Sequence, residues 1–465
     1  MLFPTVEFAV FFPIVLFISW ALMSRQALWK VFIIAASYVF YGAADPKFCF
    51  LLAGITIGNQ IAAHAIARAE DAKRRQWIVR VAVTLDLLTL GLFKYYGFFT
   101  EEVGNVLDSI GLGMPLPLLE VALPIGISFY TFQAITYVVD VKRGDAEPAS
   151  LVDAAVYLSF FPHLVAGPIV RASEFPPQLK APRDPNRVAV GAGISLIALG
   201  LIKKVAIADS LARELVDPVF AVPQAYGTPD LVLAAYGWVA QVYCDFSGYT
   251  DIAIGLALLM GFVFPQNFNN PLRSQSFREF WRRWHMTLSR FVRDYIYIPL
   301  GGSRRGTVRN YFNLLFTMTL MGLWHGAAWT TTLWGTYNGV MMSIEHWSRG
   351  RLGRPFPAWV RWFVAINLIT AGLVLFRSTD LSQFGVFVEQ LFTGGEATLW
   401  AWPIVLAVVV VYGFQLLPHR PLQRAQVWIE QRNPVALAFG LAAVILFVGA
   451  TVPSQGVPPF IYFQF

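Results

Sequence analysis

Long apolar segments recur from one end of the chain to the other and constrain its fold more than any other feature. Lipid offers the backbone no hydrogen-bond partner, so about 20 consecutive apolar residues cross a bilayer as an α-helix. Only 14% of the residues are charged and 56% are hydrophobic, whereas a soluble protein carries about 25% charged residues. The sequence therefore predicts an all-α, multi-pass integral membrane protein. The apolar segments lie near residues 5–23, 28–43, 48–67, 77–99, 121–141, 151–169, 189–208, 231–262, 311–346, 359–376, 400–418 and 434–451.

Three of these segments depart from a simple crossing. Segments 231–262 and 311–346 are longer than one crossing needs, and the second is predicted to form a hairpin that turns near His325-Gly326. Segment 151–169 is predicted to dip into the membrane and return, because broken helices are tolerated at membrane depth where protein shields the backbone. Its helix-breaking residues are Pro162, Gly167 and Pro168.

Basic residues in the short links predict the orientation. Arg25 and Lys30 follow the first segment, a basic cluster at 73–80 follows the third, and the link at 100–120 is acidic. Because cytoplasmic links are enriched in Lys and Arg, the N-terminus is predicted to be extracytoplasmic. The first segment lacks the basic leader and cleavage site of a secretory signal, so it is predicted to be a retained span. The net charge of +7 indicates topology and contact with anionic membrane lipid, and no nucleic acid is expected as a partner.

His325 lies in the otherwise apolar and aromatic run Leu323-Trp324-His325-Gly326-Ala327. An imidazole at membrane depth is costly, and such groups by default mark a pathway or a reactive site. Desolvation would keep this imidazole neutral and suited to act as a general base toward a hydroxyl. A structural histidine bonded to a neighbouring carbonyl is the competing interpretation. Gly322 and Gly326 are predicted to allow close approach of two helices around it.

Segment 277–295 is predicted to be one amphipathic helix lying in the membrane interface. At 100° per residue its aromatic and aliphatic side chains share one face, which is expected to face the bilayer. His285 lies at the boundary of that face, where it either takes part in a site or only tunes the interface. The polar face carries Arg278, Arg282, Ser289, Arg290 and Arg293.

Arginines also suit phosphate recognition, because the planar guanidinium donates two parallel hydrogen bonds. Together with Arg304, Arg305 and Arg309, the arginine face is a candidate docking strip for a phosphorylated donor. Coenzyme A and a phosphopantetheine carrier both qualify. Contact with lipid headgroups explains the same pattern and remains the alternative.

Two carboxylates, Asp245 and Asp251, interrupt the long apolar segment 231–262. Charged groups inside a membrane must be paired or hydrated. The arginines of segment 273–293 are the expected partners, and a structural role and a direct role are both open.

Several ordered motifs resemble the membrane-bound O-acyltransferase (MBOAT) superfamily, in particular its bacterial alginate O-acetyltransferase-like branch. The related D-alanyl transferases of teichoic acid synthesis share the Trp-His pair. The motifs extend over nearly the whole length and are Pro162-His163-Leu164-Val165-Ala166-Gly167-Pro168-Ile169-Val170-Arg171, Asp245-Phe246-Ser247-Gly248-Tyr249, Asn267-Phe268-Asn269-Asn270-Pro271, Glu279-Phe280-Trp281-Arg282-Arg283-Trp284-His285, Arg293-Asp294-Tyr295, Tyr297-Ile298-Pro299-Leu300-Gly301-Gly302, Trp324-His325-Gly326 and Phe460-Ile461-Tyr462-Phe463-Gln464-Phe465.

The resemblance implies a single membrane domain over 1–465, with N-terminal spans at 1–150, a catalytic core at 151–346 and C-terminal spans at 347–465. About 11–12 transmembrane helices would form a ring around a central tunnel, with re-entrant and interfacial helices added. His325 would be the catalytic histidine and His285 the second active-site residue. Candidate donor-binding or tunnel-lining residues are Trp281, Arg282, Trp284, Ser289, Asp245, Trp324, Asn270 and Arg293.

The function that the resemblance implies is transfer of an acyl group, most simply acetyl, from a cytosolic thioester to an extracytoplasmic hydroxyl. Acetyl-CoA or a phosphopantetheine-carrier thioester would be the donor, with no permanently bound cofactor and no metal. An exopolysaccharide or cell-wall glycan would be the acceptor, reached through a periplasmic or surface partner of the SGNH-hydrolase-like acetyltransferase type. The location would be the cytoplasmic (inner) membrane of a bacterium. The alternatives are D-alanyl transfer from a carrier protein and a proton-coupled transporter or flippase.

Overall fold

A computed structural model of the protein describes residues 1, 3–112, 122–352, 356–417, 427–429, 431–451 and 461. Within these ranges the regular structure is helical and contains no strand, which confirms the all-α prediction. The described chain divides into two compact units, one comprising 1–189 with 256–265 and the other 190–255 with 266–465. Of the C-terminal run 460–465, all residues but Ile461 lie outside the described ranges.

The first unit is built from the N-terminal helices around an aromatic core. Phe160 and Phe262 lie 5.0 Å from the Phe175 ring, and His163 lies 5.5 Å from it. The His163 ring is fully buried and donates through Nε2 to the Tyr157 carbonyl at 2.8 Å, as a structural histidine does. The helices are α1 (Val6–Leu22), α2 (Gln26–Gly42), α3 (Lys47–Arg68), α4 (Ala72–Ser109), α5 (Ile127–Arg143), α6 (Leu151–Ser159) and α7 (Phe161–Leu164).

The segment predicted to dip into the membrane is broken into two short helices. Helix α6 has 9 residues and so extends for about 14 Å, half of the roughly 30 Å of a bilayer core. The chain leaves helical geometry at Phe160, and the irregular stretch 165–170 is buried throughout. A single helical crossing over 151–169 is therefore absent, while the return to the same side of the membrane stays a prediction.

Cysteine labelling tests that prediction. We expect single cysteines at the exposed positions Ser150 and Ser173 to react with a membrane-impermeant maleimide from the same side of sealed vesicles. Cys49 and Cys244, both free thiols, would be replaced first. Labelling of the two positions from opposite sides would show that the segment crosses.

The second unit holds the remaining helices apart from residues 256–259, and it contains π-helical turns at Ile202–Ala208, Ala212–Val216 and Arg293–Tyr297. Such turns often occur at functional sites. The helices are α8 (Val190–Leu201), α9 (Asp209–Leu211), α10 (Asp217–Ala221), α11 (Thr228–Leu259), α12 (Phe277–Trp281), α13 (Met286–Val292), α14 (Thr307–His325), α15 (Trp329–Leu352), α16 (Ala358–Arg377), α17 (Leu381–Gln390), α18 (Trp402–Leu416) and α19 (Pro434–Thr451).

Five helices of the described chain are long and apolar enough to cross a membrane, so the protein is a multi-pass membrane protein. Three shorter apolar helices accompany them, at Val6–Leu22, Trp402–Leu416 and Val435–Phe447. The sequence-based count of about 11–12 spans includes such shorter helices as well as broken segments. The five candidate spans are Lys47–Arg68, Ala72–Ser109, Val190–Ala221, Thr228–Leu259 and Ala358–Arg377.

The hairpin predicted for 311–346 is confirmed, because α14 ends at His325 and α15 begins at Trp329. Its two helices meet through glycines. A Cβ added to Gly322 would lie 2.8 Å from the Gly335 Cα, and Gly326 faces Thr331 at 3.0 Å. No side chain fits between backbones at such a distance. The predicted close approach is therefore confirmed at Gly322, whereas Gly326 follows the end of α14 and meets the side chain of Thr331.

Candidate active site

His325 is the last residue of α14, and its side chain is buried in the second unit. Its Nδ1 lies 2.7 Å from the carbonyl oxygen of Met321, one helical turn earlier. A carbonyl oxygen can only accept, so Nδ1 carries the proton and Nε2 carries the lone pair. The hydrogen bond to a neighbouring carbonyl, which the interpretation as a structural histidine predicts, is thus present. The same bond selects the tautomer in which Nε2 can accept a proton.

Aromatic rings surround this imidazole. The ring centroids of Trp324, Trp334 and Phe376 lie 4.8, 5.0 and 5.8 Å from that of His325. Trp334 in turn packs at 5.8 Å against Trp281, whose indole N–H donates to Asn338 at 3.2 Å. These rings separate the imidazole from polar surroundings other than the Met321 carbonyl with which it bonds.

The predicted single amphipathic helix over 277–295 is wrong. The structure contains α12 and α13 with a break at 282–285, and His285 adopts the left-handed conformation with φ of 40°. The break has a tertiary cause, because the loop at 267–269 takes over backbone bonds that a continuous helix would use. Met286 N–H donates to Asn267 O and Asn269 N–H donates to Arg283 O, both at 2.9 Å.

The aromatic face of this segment does not face lipid, which corrects a second expectation. Its apolar side chains are buried in the protein core, apart from Tyr295, which is half-buried, while Arg278, Arg282 and Arg293 remain exposed. Apolar residues at helical spacing are therefore found in a segment that packs in the protein core, just as they are in a helix that lies in the membrane interface. The buried members are Phe277, Phe280, Trp281, Trp284, Leu288, Phe291 and Val292.

His285 is fully buried, although it was expected at the boundary of a surface helix. Its Nδ1 lies 3.1 Å from Oδ1 of Asn267. The Thr287 backbone N–H points at the same atom at 3.1 Å, which identifies that atom as the amide oxygen. The oxygen must accept from His285, so Nδ1 is the protonated nitrogen and Nε2 carries the lone pair.

Burial lowers the pKa of His285 well below its ordinary value, and the neighbouring His325 lowers it further. The ring of Phe246 meets that of His285 edge-on at 4.6 Å, and Trp324 lies 6.4 Å away on centroids. Trp324 therefore lies against both histidines. The structure brings the two imidazoles into one site, each in the tautomer with a basic Nε2.

A left-handed backbone is uncommon for residues other than glycine and costs of order 1–3 kcal/mol at a functional site. Within the described residues two non-glycine positions adopt it, His285 and Asn270 with φ of 46°. Both belong to the motifs singled out from the sequence. This local strain, which no sequence pattern reveals, supports a functional role for the surrounding loop.

The predicted partners of the buried carboxylates are wrong. Asp245 pairs with Lys204 at 2.6 Å, and Asp251 pairs with Lys203 at 2.7 Å. The partners are therefore lysines of the π-helical turn Ile202–Ala208, and not the arginines of segment 273–293. Lys204 also binds Asp209 at 2.7 Å, with its side chain 1% exposed. The second oxygen of Asp245 accepts from the Ile461 backbone N–H at 3.1 Å. Asp245 thus belongs to a buried ion cluster.

The other predicted site residues lie at different depths around the two histidines. Trp284 stacks on Phe280 at 5.4 Å and lies 6.5 Å from Phe246. Ser289 bonds weakly to the Trp284 carbonyl at 3.4 Å. Arg282 is exposed, and Arg293 is exposed and paired with Asp294 at 2.6 Å. Trp281 and Trp324 belong to the aromatic enclosure, whereas the arginines lie on the surface.

Sequence reasoning missed three residues that shape this site: Asn267, Trp334 and Phe376. Asn267 belongs to the motif Asn267-Phe268-Asn269-Asn270-Pro271, but three asparagines occur there and the sequence does not show which of them is buried. Trp334 and Phe376 look like ordinary apolar residues of their spans. Only the packing of α15 against α14, and of α16 against α15, places them on the imidazole.

This arrangement, two buried imidazoles that each have a basic Nε2 in a multi-pass helical protein, fits proton transfer. A model of the membrane-bound O-acyltransferase family (MBOAT) matches residues 137–376, a range that contains both histidines. The chain belongs to this family and is an O-acyltransferase. Membership supports the enzyme interpretation over that of a transporter.

Curated relatives of this chain are named for three different activities. A probable alginate O-acetylase of Azotobacter vinelandii is 37% identical, covering 97% of this chain and 97% of the relative. A peptidoglycan O-acetyltransferase of Helicobacter pylori is 33% identical over 76% of this chain and 72% of its own length. A teichoic acid D-alanyltransferase of Streptococcus thermophilus is 30% identical over 48% of this chain and 57% of its own length.

Proposed function

We propose that the protein moves an acetyl group from a cytosolic thioester to an extracytoplasmic hydroxyl, for the O-acetylation of an exopolysaccharide or cell-wall glycan. The observation that carries the chemistry is the bond from His325 Nδ1–H to the Met321 carbonyl. That bond leaves Nε2 as the basic nitrogen inside an aromatic enclosure. The alginate and peptidoglycan O-acetyltransferases among the relatives support the acetyl group and the glycan.

His325 acts as general base in this proposal. Nε2 takes the proton of the acceptor hydroxyl as the hydroxyl oxygen attacks the thioester carbonyl carbon. The tetrahedral intermediate then collapses, the carbon–sulfur bond breaks, and the imidazolium returns the proton to the departing thiolate. A well-placed base of this kind contributes about 10²–10⁴-fold to the rate.

His285 positions the donor or the acceptor. Its Nδ1 is occupied by Asn267, so Nε2 is an acceptor for a substrate N–H or O–H. The low pKa of His285 keeps that lone pair available. Two neutral imidazoles also avoid the repulsion that two adjacent cations would suffer in an apolar site.

Acetyl-CoA is the proposed donor, and the exposed arginines provide a surface for its phosphates. Arg282, Arg304, Arg305 and Arg309 are exposed near the start of α14 and in the break after α12. Guanidinium groups bind phosphates in bidentate fashion. The same arginines also suit lipid headgroups. We place them on the cytoplasmic face of a bacterial inner membrane. The N-terminus would then be extracytoplasmic, as the basic links between the apolar segments predict.

The identity of the acetyl acceptor is inferred from the family resemblance. We infer that an SGNH-hydrolase-like acetyltransferase outside the membrane receives the acetyl group and passes it to the polysaccharide. D-alanyl transfer from a phosphopantetheine carrier is the second candidate, and the teichoic acid D-alanyltransferase among the relatives supports it. Its shorter coverage, 48% of this chain against 97% for the alginate relative, favours acetyl transfer.

A donor assay tests this proposal. The purified protein in detergent is incubated with radiolabelled acetyl-CoA and, in parallel, with a D-alanyl carrier protein. We expect thioester loss and acyl transfer to a hydroxyl acceptor from acetyl-CoA above the protein-free rate. Turnover of the D-alanyl carrier alone would establish the second candidate, and turnover of neither thioester would contradict acyl transfer.

A further inference from the structure

Asn267 connects the loop after α11 to the second histidine of the site. Its side chain is fully buried. The amide oxygen accepts three hydrogen bonds, from His285 Nδ1 at 3.1 Å and from the backbone N–H and hydroxyl of Thr287 at 3.1 and 2.8 Å. Its own backbone carbonyl accepts from Met286 N–H at 2.9 Å. One residue thus contacts the imidazole of His285 and the two residues that follow it.

This contact determines which ring nitrogen of His285 can serve a substrate. With an oxygen facing Nδ1, the proton stays on Nδ1 and the lone pair on Nε2. Without that oxygen either tautomer could form, and the ring could rotate about its side-chain bonds. Phe246, edge-on at 4.6 Å, limits the tilt of the ring but cannot select a tautomer.

We infer that Asn267 is a positioning residue that holds His285 in one tautomer and one ring orientation for acyl transfer. This inference rests on the proposed function, because it assumes that His285 Nε2 acts on a substrate. It also explains the left-handed backbone at His285. The bonds from the backbone N–H groups of Met286 and Thr287 to Asn267 hold the chain in a conformation that the sequence alone would avoid.

The charged surroundings of His285 make a pH test possible. His325 is a titratable group that acts directly on His285. Asp245, beside Phe246, is held by Lys204, and Arg283 is held by Glu279 at 3.0 Å. A new carboxylate at position 267 would therefore be the dominant negative charge on the imidazole.

Two substitutions separate positioning from packing. Asn267→Leu has a similar volume but offers no acceptor, and we expect acyl transfer to fall by about 10²-fold, as misplacement of a reacting group does. Asn267→Asp keeps an acceptor for the three bonds. Its carboxylate should stabilise the imidazolium and raise the pKa of His285, so the rate should fall on the acid side at a higher pH than in the parent. Thr287→Val removes one bond to the same oxygen but spares His285, and it should transfer at close to the parent rate.

A double-mutant cycle makes the outcome decisive. In a His285→Ala background, Asn267→Leu should cost nothing further, because the group that it positions is gone. Folded Asn267→Leu protein with the parent rate would overturn the inference. Should that variant fail to fold, an Asn267→Asp protein with the parent pH–rate profile would overturn it equally. If His285→Ala alone retains full activity, the proposed role of His285 fails, which is a distinguishable result.

Discussion

His325→Asn is expected to lower acyl transfer by about 10²–10⁴-fold while the protein remains folded. The asparagine amide nitrogen can replace Nδ1 as donor to the Met321 carbonyl, a bond of 2.7 Å in the parent. It has no basic nitrogen at the position of Nε2. The variant therefore keeps the structural bond and removes the base. The measurement is the initial rate of acetyl transfer, with the melting temperature in detergent recorded alongside.

His346→Ala is the matched control for this substitution. His346 lies on α15 of the same hairpin, but it is exposed and its ring contact is with Tyr311 at 5.7 Å. We expect parent-like transfer from this control. If His325→Asn also transfers at the parent rate, the structural interpretation of His325 is correct and the general-base proposal is wrong.

Lys204→Met is expected to cause the largest loss of stability, about 3–5 kcal/mol. The Lys204 ammonium lies 2.7 Å from Asp209 and 2.6 Å from Asp245, and none of the three side chains is more than 5% exposed. Removing the cation leaves two carboxylates buried without compensation. Because native proteins are stable by only about 5–15 kcal/mol, much of the protein should fail to fold. Yield of monodisperse protein and melting temperature measure this.

Neutralising the carboxylates should reverse the effect. In a variant that combines Lys204→Met with Asp209→Asn and Asp245→Asn, no uncompensated charge remains, and the amide oxygen introduced at position 245 can still accept from the Ile461 N–H. Lys203→Met is the comparison variant, because Lys203 pairs with one carboxylate, Asp251, whereas Lys204 pairs with two, and we expect it to lower stability less. A Lys204→Met protein that melts with the parent would show that the ion cluster contributes nothing to the fold.

The elements predicted well were those whose pattern reflects a single physical requirement. The hairpin with its turn at His325 followed from a segment too long for one crossing and from the glycines that border it. The break in 151–169 followed from residues that cannot continue a helix. In both cases the backbone chemistry of the residues themselves sets the outcome.

The segment 277–295 shows why periodicity alone was insufficient. Aromatic residues at helical spacing indicate a buried face, but the pattern is the same whether lipid or protein covers that face. The structure covers it with protein and breaks the helix at His285, because the backbone at 267–269 competes for the hydrogen bonds. The two sides of this contact are remote from each other in the sequence, so no local window contains the cause.

The sequence by itself determined that the chain is helical, lies in a membrane and carries histidines where charge is expensive, since hydrophobicity and desolvation act on each residue locally. Tertiary structure alone decided which groups meet. Lysines rather than arginines neutralise Asp245 and Asp251, and Asn267 reaches the imidazole of His285. Partner choice depends on distances between segments remote in the chain, and those distances exist only once the helices have packed.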